Sequence, residues 1–146
     1  MAKTLEKIGI IANTDKKDAV RCTLELLEWL EERNVEVLLE REIAAKTGKG
    51  PGTERTLLPA AVDLMVVFGG DGTLLSAART TAGHEVPVVG INLGGFGFMT
   101  VVNLNEMLPT MELILEGRFR TSKRMMLDVT LPGEEKDVPF ETVLND

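Results

Sequence analysis

An apolar run at 64–68 gives way to Gly69-Gly70-Asp71-Gly72-Thr73 and then to a helical pattern over 74–82. The run has the length and β-branched content of a strand buried on both faces. Strand, glycine turn and helix in that order bring backbone close to a ligand at a helix N-terminus, where phosphates are held. Gly69, Gly70 and Gly72 read as positions open to positive φ and free of a Cβ that would block a ligand. Thr73 reads as the N-cap. Asp71 is the unusual member, because a negative charge is unfavourable beside phosphates. It makes sense as an acceptor of a proton from an attacking hydroxyl or as a metal holder. The competing reading is a tight structural turn in which Asp71 caps the next helix.

The same alternation recurs along the chain. Residues 7–13 read as a first buried strand, followed by a helix that Asp15 would cap and that runs to about Arg33. Val20, Leu24, Leu27 and Leu30 form its apolar face, and Cys22 and Trp29 are read as packing residues. Residues 35–39 read as a second strand, with a short helix over 40–45 after it. The stretch 46–55, rich in glycine and lysine, reads as a flexible solvated loop. It lacks the GxxxxGK[ST] spacing of a P-loop. Residues 86–91 read as a further strand, and His84 as an idle turn residue ahead of it. A second glycine turn over 92–100 follows, whose Phe96 and Phe98 argue against a mobile linker. Two parallel strands ending in glycine turns place both turns on one carboxyl edge of a sheet. Asn92 there could donate its amide to a phosphate or hydroxyl. Asn103 and Asn105 offer caps for a helix over 107–115.

From Arg118 the pattern changes. Residues 125–131 and 138–144 alternate with period two around a turn at 132–135, the mark of an antiparallel hairpin. The expected architecture is therefore α/β: a Rossmann-like, mostly parallel sheet with helices on both faces over 1–121. Residues 122–146 would be the opening strands of a truncated, β-rich second domain. The chain stops directly after a strand-like segment, which reads as a cut through a larger protein.

Composition narrows the partners. The 146 residues carry 16 basic and 23 acidic side chains, a formal net charge of −7. That balance argues against nucleic acid and anionic membrane surfaces, while leaving room for a small nucleotide held by backbone N–H groups. The single cysteine, Cys22, excludes an intrachain disulfide. No signal-peptide or membrane-spanning pattern is present, and a cytoplasmic protein is expected. GxGxxG does not follow the first strand at Asn13, which disfavours a dehydrogenase.

The residues 69–73 resemble the GGDGT signature shared by NAD kinases, diacylglycerol- and sphingosine-type lipid kinases and phosphofructokinases. The string from Gly90 to Met99 is similar to the G-I-N-x-G-x-L-G-F-L turn of bacterial NAD kinases, with Phe96 and Met99 in place of the commoner leucines. The segment 122–127 looks like that family's opening of its second domain, and Asn145-Asp146 falls where the family carries an Asn-Glu/Asp pair. The resemblance implies phosphoryl transfer from ATP, or polyphosphate in some members, to the 2′-hydroxyl of the adenosine ribose of NAD. Asp71 matches the general base. Gly70 and Gly72 would give room beside the dinucleotide, and Thr73, Asn92 and Phe98 would add nucleotide contacts. Asn145 and Asp146 would hold the ribose hydroxyls and adenine edge. Mg²⁺ would arrive with ATP rather than at a dedicated protein site, and the full-length protein would be a homo-oligomer. The isolated 146 residues are expected to be catalytically silent. A lipid kinase of the same signature, or a non-catalytic nucleotide-binding module, stays open at this level.

Overall fold

The computed structural model describes residues 4–95, 97–129 and 141–144. Five strands form one sheet: β1 (Lys7–Ala12), β2 (Glu36–Leu39), β3 (Leu64–Gly69), β4 (Val88–Asn92) and the two-residue β5 (Val102–Asn103). Their spatial order is β2-β1-β3-β4-β5, and every neighbouring pair is parallel. The chain leaves β1 toward one edge and returns to build β3 on the other side. The β1/β3 junction is therefore the point where the winding reverses, and such sheets hold ligands outside the carboxyl ends of the strands there.

Alternation along the strands feeds a core on each face. Ile8, Ile10, Leu64, Val66 and Phe68 pack with α1 (Ala19–Glu31), α2 (Arg41–Thr47) and α5 (Met107–Leu115). Ile11, Met65 and Val67 pack with α3 (Leu58–Ala61) and α4 (Asp71–Thr81). The α/β architecture with helices on both faces is thus the observed one.

Several local expectations are corrected. The first helix starts at Ala19, four residues beyond Asp15, because successive turns intervene: Asp15 N–H donates to Asn13 Oδ1, and the Lys16 and Ala19 amides bond the carbonyls of Asn13 and Lys16. Its buried face is Ala19, Cys22, Leu26, Leu27 and Leu30, with Val20 and Leu24 only partly covered. Trp29 lies under the Arg33 guanidinium, 3.7 Å from its ring centroid, and Arg33 reaches Glu112 of α5 at 3.1 Å. The loop 46–55 is pinned at its end: Thr53 pairs with Glu40, its N–H donating to Leu39 O at 2.7 Å. A 3₁₀ turn (Arg55–Leu57) and α3 follow it, neither foreseen.

Parallel pairing stops after β5. The last strands, β6 (Met126–Val129) and β7 (Glu141–Leu144), pair antiparallel in a separate two-stranded sheet, and β7 runs against α4. The hairpin turn expected at 132–135 lies outside the described residues. Among the described residues no helix is long and apolar enough to cross a membrane.

Candidate functional site

The first glycine turn is built by close packing rather than by left-handed backbone. None of Gly69, Gly70 and Gly72 has positive φ, contrary to the expectation from sequence. A Cβ on Gly69 would stand 2.4 Å from Thr73 Oγ1, so the glycine makes room for the threonine side chain folded back over it. Gly70 and Gly72 face open space. The helix α4 begins at Asp71 with Gly70 at its N-cap and no side-chain capping bond. Thr73 is therefore inside the first turn and does not cap it.

Asp71 points its carboxylate into the second glycine turn. Oδ2 accepts the Phe98 N–H at 2.8 Å, while Oδ1 accepts the Met99 N–H at 3.0 Å, the Thr100 N–H at 3.1 Å and the Thr100 hydroxyl at 3.2 Å. These donors, Phe98 first, hold its pKa below the ordinary aspartate value. The sequence reading that Asp71 caps the next helix is not what the geometry shows, since its oxygens bond residues 27–29 positions away. A carboxylate has about four lone-pair positions. Oδ1 is saturated, and Oδ2 keeps room for one further donor.

The second turn is self-supporting. Asn92 is 5% exposed, donates its amide to Gly95 O at 2.9 Å and accepts the Gly94 N–H at 3.0 Å. Its carboxamide braces the turn, with one amide N–H given to Gly95 O. Thr100 is 2% exposed, whereas Phe98 stands 81% exposed beside the Asp71 carboxylate. Phe96, Asn145 and Asp146 lie outside the described residues.

On the other side of Gly70, a cleft of about 540 Å³ opens at the β1/β3 junction, between the turn after β1 and the start of α4. Asn13, Lys16, Glu40, Arg55, Gly70 and Gly72 are among its lining residues. The solvated loop expected over 46–55 does not hold at Arg55. Its side chain instead donates to Ser76 Oγ at 2.8 Å and Thr80 Oγ1 at 3.2 Å, and stands 3.7 Å from Glu40 Oε1. The available signal was the Ser76/Thr80 pair, four residues apart on one stripe of α4. Burial raises the Glu40 pKa and Arg55 opposes that shift. His84 is exposed in its turn. Among the described residues no three His, Cys, Asp or Glu side chains come together as a metal site.

Two glycine turns, a carboxylate locked between them and a cleft at the winding reversal thus meet at the carboxyl edge of the sheet, where such folds hold ligands. Residues 8–119 match the family described as ATP-NAD kinase, N-terminal domain. The chain belongs to that family. Among its relatives, the NAD kinase of Geobacter metallireducens is 41% identical, covering 97% of this chain and 50% of the relative. The NAD kinase of Syntrophotalea carbinolica is 38% identical over the same shares. The chain thus spans about half the length of the NAD kinases it matches. The crystal structure of yeast NADH kinase complexed with NADH superposes with a TM-score of 0.80 at 18% identity, covering 97% of this chain and 47% of that one. At that identity the likeness speaks for the fold.

Proposed function

We propose that these residues are the Asp71-bearing part of a kinase that phosphorylates the 2′-hydroxyl of the adenosine ribose of NAD, giving NADP. The observation that supports it most is the Asp71 carboxylate, held by the second glycine turn with one oxygen filled and the other open. The ribose 2′-hydroxyl donates to Oδ2. As its oxygen bonds the terminal phosphorus of the donor, the P–O bond to the leaving phosphate breaks and the proton passes to Oδ2. A carboxylate with a lowered pKa is a weak base, so the proton moves only as the new bond forms. Positioning and charge stabilisation then carry most of the acceleration, as in other phosphoryl transfers.

Gly70 and Gly72 leave space for the reacting groups, Thr73 fixes the turn by packing over Gly69, and Asn92 shapes the second turn from within. The exposed Phe98 ring offers the nucleotide an apolar face. Asn145 and Asp146 complete the ribose and adenine contacts in this reading. ATP is the donor, with polyphosphate the alternative. Mg²⁺ would arrive with the donor phosphates and would offset charge on them, since the described residues offer no cluster of three His, Cys, Asp or Glu to hold it. Residues 122–146 begin a second, β-rich domain, and the complete protein is a cytoplasmic homo-oligomer with small nucleotides as its partners.

The test is an acceptor assay on the product of the natural coding frame, offered Mg-ATP with NAD, diacylglycerol or sphingosine. NADP is the expected phosphorylated product. Phosphorylation of a lipid instead would move the assignment to the lipid kinases. Transfer to none of the three would leave a binding module.

A further inference from the structure

We infer that Thr100 is a positioning residue, whose hydroxyl settles which oxygen of Asp71 faces the acceptor. This assignment rests on the kinase reading above. The torsion that carries an aspartate carboxylate is broad and roughly two-fold, so nothing in the side chain itself tells Oδ1 from Oδ2. The distinction comes from unequal donors, three on Oδ1 and one on Oδ2. Thr100 supplies two of the three, its N–H at 3.1 Å and its hydroxyl at 3.2 Å. The hydroxyl is the one donor of the four that belongs to a side chain. Without it the two oxygens differ by a single amide, and the plane of the carboxylate is held less firmly.

The surroundings of Thr100 are shaped to seat that hydroxyl. The side chain is buried and β-branched, which stiffens its first torsion. A Cβ on Gly97 would overlap Thr100 Oγ1, and a Cβ on Gly90 would stand 3.0 Å from Thr100 Cγ2. Neither glycine has positive φ, so what glycine supplies at both positions is room for the threonine. The described hydrogen-bond partners of the carboxylate, Phe98, Met99 and Thr100, are all uncharged. Its direction is therefore set by hydrogen bonds rather than by an ion pair among them. Were Thr100 there only to fill the space over two glycines, valine would serve as well, having the same branching and nearly the same volume. The hydroxyl aimed at Oδ1 is what valine lacks.

The experiment compares the natural gene product with its Thr100→Val and Thr100→Ser variants, by steady-state kinetics on NAD and Mg-ATP and by ¹³C NMR titration of the Asp71 carboxyl. Thr100→Val should lower kcat about tenfold, the scale of one hydrogen bond to a charged group, with KM for NAD little changed. Loss of a donor to the ionised form should also raise the Asp71 midpoint toward the ordinary aspartate value. Thr100→Ser keeps the hydroxyl and gives up the methyl, and should recover most of the turnover and the low midpoint. A packing role alone predicts the opposite ranking, valine above serine. Should Thr100→Val fail to fold, Thr100→Ala set against Thr100→Ser makes the same comparison, since those two differ only in the hydroxyl. Unchanged kcat or an unmoved midpoint in the folded hydroxyl-free variant, or serine no better than that variant, overturns the assignment. NADP formed by none of the proteins, with the midpoint displaced as expected, would fault the kinase reading and leave Thr100 as the residue that fixes the carboxylate.

Discussion

At the level of single residues, Asp71 and Gly69 carry the sharpest consequences. Asn at position 71 keeps the size of the side chain and replaces an acceptor oxygen by an NH₂ group, which then faces backbone donors. The Asp71→Asn chain should therefore show faster amide exchange at Phe98, Met99 and Thr100 by hydrogen-exchange NMR, with exchange in β1 and β3 unchanged. Protection equal to that of the unmodified chain would mean the carboxylate does not hold the second turn. The pH dependence has a defined sign. Because the folded-state pKa of Asp71 is lowered, its contribution is complete above the ordinary aspartate range and is lost only as pH falls through the depressed folded value. The Phe98 amide shift should accordingly titrate with a midpoint below that of an unperturbed aspartate. Gly69→Ala sets a Cβ against Thr73 and should cost about 1–3 kcal/mol in denaturant unfolding, the usual scale of overpacking. Gly70→Ala meets nothing within 4 Å and should unfold like the parent. Equal effects of the two changes would contradict the packing account of the turn.

At the level of elements, strands and helices with strong patterns were legible and short ones were not. Parallel strands buried on both faces announce themselves as apolar runs, and β1, β3 and β4 fell where such runs stand. The two-residue β5 and the four-residue α3 are too short to show a period. Their positions follow from tertiary packing. The buried face of α1 differs from the one its spacing predicts, because a helix entering late at Ala19 leaves Leu26 and Cys22 rather than Val20 and Leu24 against the sheet. Leu26→Ala should cost about 2–5 kcal/mol in denaturant unfolding, and Val20→Ala much less. The reverse order would favour a buried face through Val20 and Leu24. Asp71 and the glycines of the site were visible as a motif. The bonds between Asp71 and residues 98–100 were not, since a backbone donor carries no side-chain signature. Arg55 was hidden for a related reason: a glycine- and lysine-rich context reads as solvent, while its partners lie on α4 far along the chain.

At the level of the whole molecule, the winding order sets the chemistry. Reversal at β1/β3 opens a cleft on one side of the first glycine turn, and β4 brings the second turn to its other side. One carboxylate at the start of α4 stands between them. The formal charge of −7 does not oppose this arrangement, because backbone amides act locally. The change from parallel to antiparallel pairing after α5 fits the proposed start of a second domain near residue 122. The central claim is that Asp71 serves the transfer of phosphate to NAD. The most direct measurement is the rate of NADP formation from NAD and Mg-ATP by the natural gene product and by its Asp71→Asn variant. The account predicts a fall in turnover of about 10²–10⁴ with NAD still bound, the range of a general base. Turnover by the Asp71→Asn variant at the unmodified rate would contradict it.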